Sequence, residues 1–253
     1  MKTLFNRTCV WAVVAGWLAV WAAGAAELPI RTGQTIVFVG DSITAAGASS
    51  NGYATLVVAG LKANGVTVKS FCQGGSGANS ANMVSNKYLF PLALGRKADW
   101  ITISCGVNDA KSDGNKCPLD PYKANLRTMV EKAQAANANV VLLTTTAWEC
   151  LQDSEYYRKG IRERNRLLEP YNDYLRALAA EKKCLLADIN AEFQRILKKE
   201  FSKEGVLTQH DGCHPNTNGH QTMAVVILKT LGLDDAQLEK AKRAWPVAAG
   251  KDR

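Results

Sequence analysis

From Thr35 the chain runs apolar without alternation through Ile36, Val37, Phe38 and Val39, then breaks at Gly40. An unbroken apolar run this short, rich in β-branched and aromatic residues, predicts a strand buried on both faces. Asp41, Ser42 and Thr44 follow as small polar residues suited to a sharp turn into a helix. The same texture predicts further strands over 66–71, 100–104, 140–145 and 184–188. Between them, helical spacing predicts helices over 53–63, 81–94, 120–136, 160–181 and 216–231, and another through Phe193 and Leu197. The 120–136 helix opens on Asp120-Pro121, an acidic cap with proline in the first turn. The 160–181 helix carries Leu167, Leu168, Tyr171, Leu175 and Leu178 on one stripe. Residues 148–159 read as an irregular aromatic stretch, and the charged tail from Asp234 reads as peripheral.

Strands alternating with helices imply a parallel sheet between two helical layers, a three-layer α/β/α sandwich with right-handed crossovers. Open sheets of this kind bind ligands at the carboxyl ends of their strands. Ser42, Gly74 and Asn108 follow the first three strands, so one edge of the sheet collects them.

Composition adds a compartment. Lys2 and Arg7 precede an uncharged apolar run over 9–23, and Ala23-Gly24-Ala25-Ala26 offers small-residue cleavage sites. Residues 1–26 therefore read as a secretory signal peptide, shorter than the roughly 20 apolar residues of a membrane span. Residues 27–253 are then one domain, secreted or periplasmic, with no stable membrane span after cleavage. Cys72, Cys105, Cys117, Cys150, Cys184 and Cys213 remain in it. Export permits disulfides, and Cys117 and Cys150, both placed in loops at strand ends, form the one suggested bridge. The net charge of +8 is spread through the helices rather than clustered, so no nucleic-acid partner is expected. The densest basic run, 158–164, is interleaved with acid and reads as a solvated face. A basic exported enzyme is compatible with acidic polysaccharides or a membrane surface, and charge alone selects neither.

Ser42 by itself reads as well as a helix cap as a nucleophile. Three other stretches change that: Cys72-Gln73-Gly74-Gly75-Ser76-Gly77, Gly106-Val107-Asn108-Asp109 and Asp211-Gly212-Cys213-His214-Pro215. With Gly40-Asp41-Ser42-Ile43-Thr44 they resemble, in order, the four sequence blocks of the SGNH hydrolases, or GDSL esterases. The resemblance spans Thr35 to about Leu231. It implies a five-stranded, flavodoxin-like parallel sheet, a serine esterase and no cofactor. One departure stands out: Cys72 occupies a position that is often asparagine in relatives.

The residues support this chemistry on their own terms. A serine hydroxyl needs a base, and the chain has three histidines, His210, His214 and His220. Asp211 lies three residues before His214, within reach of the imidazole nitrogen turned away from serine, where a carboxylate fixes the tautomer. His210 lacks such a partner and reads as a rim residue, while His220 reads as a packed structural residue of the following helix. The Asp211–His214 pair would suit a metal only with a second cluster of ligands, and none exists in the sequence. An oxyanion needs donors fixed in advance. The Ser42 N–H, the Gly74 N–H and the Asn108 amide are the candidates, with Gly75 the alternative to Gly74. Asp41 reads as a structural acid bonded to the turn. Residues 109–114 resemble a calcium loop, but Lys111 stands at a ligand position.

The reaction expected is ester hydrolysis by Ser42, His214 and Asp211. Single-domain relatives with a signal peptide often deacetylate carbohydrates, and no long lid or apolar insertion of a long-chain lipase is present. Acetylated carbohydrate is thus the expected substrate, with Trp148, Tyr156 and Tyr157 as a sugar-stacking rim or simply packing. A lysophospholipase or thioesterase, an O-acetyltransferase and a non-hydrolytic carbohydrate-binding protein are the rivals.

Overall fold

The computed structural model describes residues 28–111, 116–197 and 205–246. The signal-peptide reading and the domain's first residue fall outside them. The sheet has five parallel strands: β1 (Thr35–Gly40), β2 (Lys69–Gly74), β3 (Trp100–Ser104), β4 (Asn139–Leu143) and β5 (Leu185–Ala187). Their order, β2-β1-β3-β4-β5, reverses direction between β1 and β3 and so opens a crevice at their carboxyl ends.

Alternate residues of β1 feed two cores. Ile36 and Phe38 face one layer with α2 (Tyr53–Ala63), α7 (Ile189–Ile196), α8 (Thr217–Thr230) and α9 (Asp235–Arg243). Val37 and Val39 face the other, with α3 (Ser80–Ser85), α4 (Phe90–Gly95), α5 (Leu119–Ala135) and α6 (Glu155–Lys182). Burial on both faces is why β1 carries no polar alternation. The short α1 (Ser42–Ala46) caps its carboxyl end.

Four expectations are corrected. The second strand starts and ends three residues beyond the expected 66–71, because Thr35↔Lys69 and Gly40↔Gly74 are in register with β1. The expected 81–94 helix is two helices, α3 and α4, since Pro91 in the first turn of α4 cannot continue a helix from before it. The long sixth helix starts at Glu155, five residues early. Ser154 caps it by accepting from the Tyr157 N–H, so Tyr156 and Tyr157 are helical. The tail from Asp234 is not peripheral. Its helix α9 opens with a capping box between Asp234 and Gln237, and buried Trp245 donates from its indole to the Leu56 carbonyl at 2.9 Å.

The suggested Cys117–Cys150 bridge is also absent. All six cysteines of the described residues are free thiols. Cys117 packs beside Asn125 of α5, whereas Cys150 donates to the Gln152 carbonyl of its own turn. Buried, they act as small hydrophobes.

Candidate active site

Asp41 caps α1. Its carboxylate accepts from the Ile43 N–H at 2.9 Å, which sets the sharp turn and presents Ser42 in the first turn of the helix. Burial pushes the Asp41 carboxyl up to about 6 against that hydrogen bond, and the nearby Asp109 carboxyl pushes it the same way. The Ser42 hydroxyl lies 2.9 Å from His214 Nε2, and His214 Nδ1 lies 2.5 Å from Asp211 Oδ2. The carboxylate can only accept, so the Nδ1 proton points to it and leaves Nε2 free to accept from serine. The other Asp211 oxygen accepts from the backbone N–H groups of Cys213 and His214, which folds the loop so that acid and ring meet. Burial would raise the Asp211 carboxyl. The bonds to His214 and to these two amides outweigh it and hold the group below its ordinary value. His214 and Asp211 are 38% and 39% exposed, which leaves the base open to water.

Three sequence-predicted residues are therefore brought together, and so is Asn108. It is buried, lines the same cavity as Ser42, and donates one amide proton to the Ala78 carbonyl at 3.0 Å. The second amide proton remains for a ligand. Asp109 beside it accepts from the Ser80 N–H at 2.8 Å, so the loops after β2 and β3 are tied together. Burial pushes the Asp109 carboxyl up as well, and its Oδ2 has no hydrogen-bond partner.

Gly74 is a different matter. It is the last residue of β2, and a Cβ there would come within 2.1 Å of the Ala45 nitrogen. Glycine is required by the close approach of strand to helix, and Gly74 does not line the cavity. The alternative is also committed, since the Gly75 N–H donates to the Gly40 carbonyl at 3.0 Å. The wall beside Ser42 is made by Ser76 and Gly77, the end of the same sequence block. The strand runs three residues further than its own sequence predicts, which carries the cavity wall on to Ser76 and Gly77. Cys72, the departure from the family pattern, has a local duty. Its thiol donates to the Thr44 carbonyl at 2.9 Å and tethers β2 to α1.

His220 is buried in α8 with its ring stacked on Tyr53, 6.2 Å between centroids, while His210 is exposed. Among the aromatic candidates only Trp148 lines the cavity, and the Arg164 guanidinium lies 4.6 Å over its ring. Tyr156 is 89% exposed on α6 and lines no part of the cavity. Among the described residues no group of three His, Cys, Asp or Glu side chains is placed to hold a metal. The segment with a calcium-loop spacing lies partly outside them.

Sequence reasoning missed Glu149. Buried in the loop after β4, its carboxylate accepts from the N–H groups of Val206, Leu207 and Thr208 and from the Thr208 hydroxyl, at 2.5–3.0 Å. Its own N–H donates to the Gly212 carbonyl at 2.9 Å. Gly212, between Asp211 and His214, has φ +70°, and a Cβ there would meet the Glu149 carbonyl at 2.6 Å. Glu149 thus ties the start of the loop that carries His214 to the loop after β4. Its only trace in sequence is an acid between Trp148 and Cys150.

A parallel β2-β1-β3-β4-β5 sheet with these residues over its carboxyl edge is the architecture of the SGNH hydrolases, a class of carboxylic ester hydrolases. Residues 38–222 match the GDSL-like Lipase/Acylhydrolase family, and the chain belongs to it. An acetylxylan esterase of Geobacillus stearothermophilus is 24% identical over 229 residues, 82% of this chain and 98% of that one. An arginine-to-alanine mutant of an acetyl-xylooligosaccharide esterase of Geobacillus superposes with a TM-score of 0.68 at 24% identity, over 81% of this chain and 97% of that one. An α/β hydrolase from the metagenome of Lake Arreo, Spain, does so with a TM-score of 0.67 at 24% identity, over 81% and 98%. Solved structures of the Geobacillus acetylxylan esterase include catalytic mutants in which an aspartate, a serine or a histidine is replaced by alanine.

Proposed function

We propose that this protein is an exported serine esterase that removes acetyl groups from carbohydrates. The observation that carries the reading is the continuous string Ser42 Oγ–His214 Nε2 and His214 Nδ1–Asp211 Oδ2, at 2.9 and 2.5 Å. Ser42 Oγ attacks the ester carbonyl carbon while His214 takes its proton. The bond to the alcohol oxygen then breaks, and His214 returns the proton to that oxygen. Water attacks the acyl-serine next, again through His214, and acetate leaves as Ser42 recovers its proton. The Ser42 N–H, which by its position in the first turn has no intrahelical acceptor, and the second amide proton of Asn108 hold the oxyanion. The loop of Ser76 and Gly77 closes that side.

Three observations support carbohydrate over lipid. The cavity, about 550 Å³, mixes Ile43, Val107 and Trp148 with Ser76, Asn108, Lys111 and Arg164, so polar groups stand within reach of sugar hydroxyls. The base is open to solvent. The Geobacillus relatives act on acetylated xylan and xylooligosaccharides, as their names state. Export rests on the apolar segment between Arg7 and Ala23 with its small-residue sites; N-terminal sequencing of protein recovered outside the cytoplasm should begin near Ala26 or Glu27.

The test is hydrolysis of p-nitrophenyl esters of rising chain length beside acetate release from acetylated xylooligosaccharides, each with Ser42→Ala as control. Serine-dependent turnover peaking at acetate, with acetate released from the oligosaccharide, is the expected result. A peak at longer chains would move the assignment to lipids. No turnover by folded protein would leave the binding-protein or transferase reading.

A further inference from the structure

The cavity wall holds positive charge that ester hydrolysis does not use. Lys111 and Arg164 line the catalytic cavity, and both also line an adjoining pocket of about 220 Å³ with Val107, Ala110, Trp148 and Leu167. They stand at the seam between the two. Both charges also act on the Cys213 thiol, the neighbour of His214, which sets them beside the reacting centre.

Arg164 is set apart from the other arginines of its helix. Arg158, Arg162, Arg166 and Arg176 each meet a carboxylate at 2.6–2.8 Å. Arg164 meets none among the described residues and lies instead over Trp148. Lys111, half-buried, likewise has no carboxylate partner among the described residues. The acids that share the cavity are committed. Asp41 caps α1, and Asp211 is bonded to His214 and its own loop. Two cations of one sign beside each other in a cleft repel, and they focus the field on anything anionic that enters. A guanidinium held over an indole still presents its N–H groups as a planar fork, the geometry that meets a carboxylate through two parallel bonds.

We propose that Lys111 and Arg164 bind a carboxylate on the carbohydrate, so that the preferred substrate is an O-acetylated glycan carrying a uronic acid close to the ester. This rests on the carbohydrate-esterase reading for its consequence in catalysis, but the binding site itself does not need that reading.

The experiment is therefore done twice. Binding is measured by calorimetry with ester-free oligosaccharides of equal length: one neutral, one bearing uronate, one bearing sulfate. The uronate form should bind about 10-fold tighter than the neutral one to the wild-type protein. That preference should fall to near unity in Lys111→Met/Arg164→Gln, and Arg164→Lys should restore part of it. Circular dichroism and melting of each variant check the fold. Equal binding of neutral and uronate forms, or a preference that survives in the folded double variant, would overturn the proposal. Binding of the sulfated form as tight as or tighter than the uronate form would overturn the choice of a carboxylate. Acetate release is then compared on the acetylated neutral and uronate forms, where the ratio of kcat/KM should track the binding preference and collapse with it. If neither acetylated glycan is hydrolysed although the uronate form binds as expected, the carbohydrate-esterase reading fails and the anion site stands.

Discussion

The two halves of the site are held by different means. Ser42, the proposed nucleophile, rides on the sheet: β1 is buried on both faces, Asp41 caps the turn, and Cys72 pins the neighbouring strand to α1. His214, the proposed base, rides on a loop, 205–216, with one isolated bridge, Thr208↔Pro215; buried Leu207 and Cys213 and the Asn216 side chain help to hold it, and the Glu149 carboxylate gathers the N–H groups of three successive residues. Distributed packing tolerates a single loss better than a loop in which four hydrogen bonds converge on one buried carboxylate. Away from Ser42, the Asp41 cap and the tight glycines, the nucleophile arm should therefore resist conservative substitution, and the base arm should be sensitive to change at Glu149.

The largest effect belongs to Ser42. Ser42→Ala should lower turnover of an activated acetate ester roughly 10³-fold or more with the fold intact; near-normal turnover would remove serine from the mechanism. Asn108→Ala comes next, with about 10²–10³ lost from kcat if its free amide proton meets the oxyanion. A change confined to KM would reduce Asn108 to a binding residue and leave its bond to Ala78 as its only role.

Glu149→Gln tests the base arm. The glutamine keeps the shape but turns an amide donor toward a set of backbone donors, so at least one of the four bonds must break. Each lost charge-assisted bond costs about 1.5–3 kcal/mol, and a loop displaced by 1 Å can cost about 10²-fold in rate. Turnover should fall about 10- to 100-fold with KM little changed, and protease cleavage within 205–216 should accelerate. A variant that keeps its rate would show that buried Leu207 and Cys213 and the Asn216 bonds suffice to hold the loop.

The same contrast explains what was legible. Ser42 and Asp41 sit where a period-free apolar run meets a polar turn, and Asp211 and His214 carry their relationship in a spacing of three; both signals are local. The parallel sheet followed from strands alternating with helices, and its flavodoxin-like order from the family resemblance. The end of β2 was not legible, because Lys69–Gly74 is fixed by register with β1 rather than by its own residues, an edge strand with little burial. The residues that follow β2 and reach the cavity are accordingly Ser76 and Gly77 rather than Gly74. Glu149 escaped for a related reason. Its partners lie 57 to 59 residues away, and nothing near it in sequence announces them.

The arms meet at His220, and here the expected effect is on stability rather than rate. His220 belongs to α8, directly after the base loop, and its Nδ1 accepts from the N–H of Tyr53 at 3.4 Å; Tyr53 in turn bonds Thr44 of α1 at 2.9 Å. Burial pushes the imidazole from 6.5 down to about 4, and the proximity of His214 lowers it further in the same direction. Below pH 6.5 the unfolded chain therefore binds a proton that the folded protein refuses, and the fold loses ground until His220 itself protonates near pH 4. At 1.36 kcal/mol per pH unit this amounts to about 3 kcal/mol. Asp41 works against it, because a carboxyl raised to about 6 takes up its proton in the folded state first and gains stability as pH falls over much of the same range. His220→Gln removes one side of that opposition. Measured by urea unfolding from pH 7 to pH 4, the variant should start less stable than the wild-type protein and gain about 3 kcal/mol on it across the range, with turnover at pH 7 altered by less than the Glu149 variant. Parallel pH curves would mean that His220 takes up its proton equally in the folded and the unfolded chain, and that burial does not hold the ring neutral.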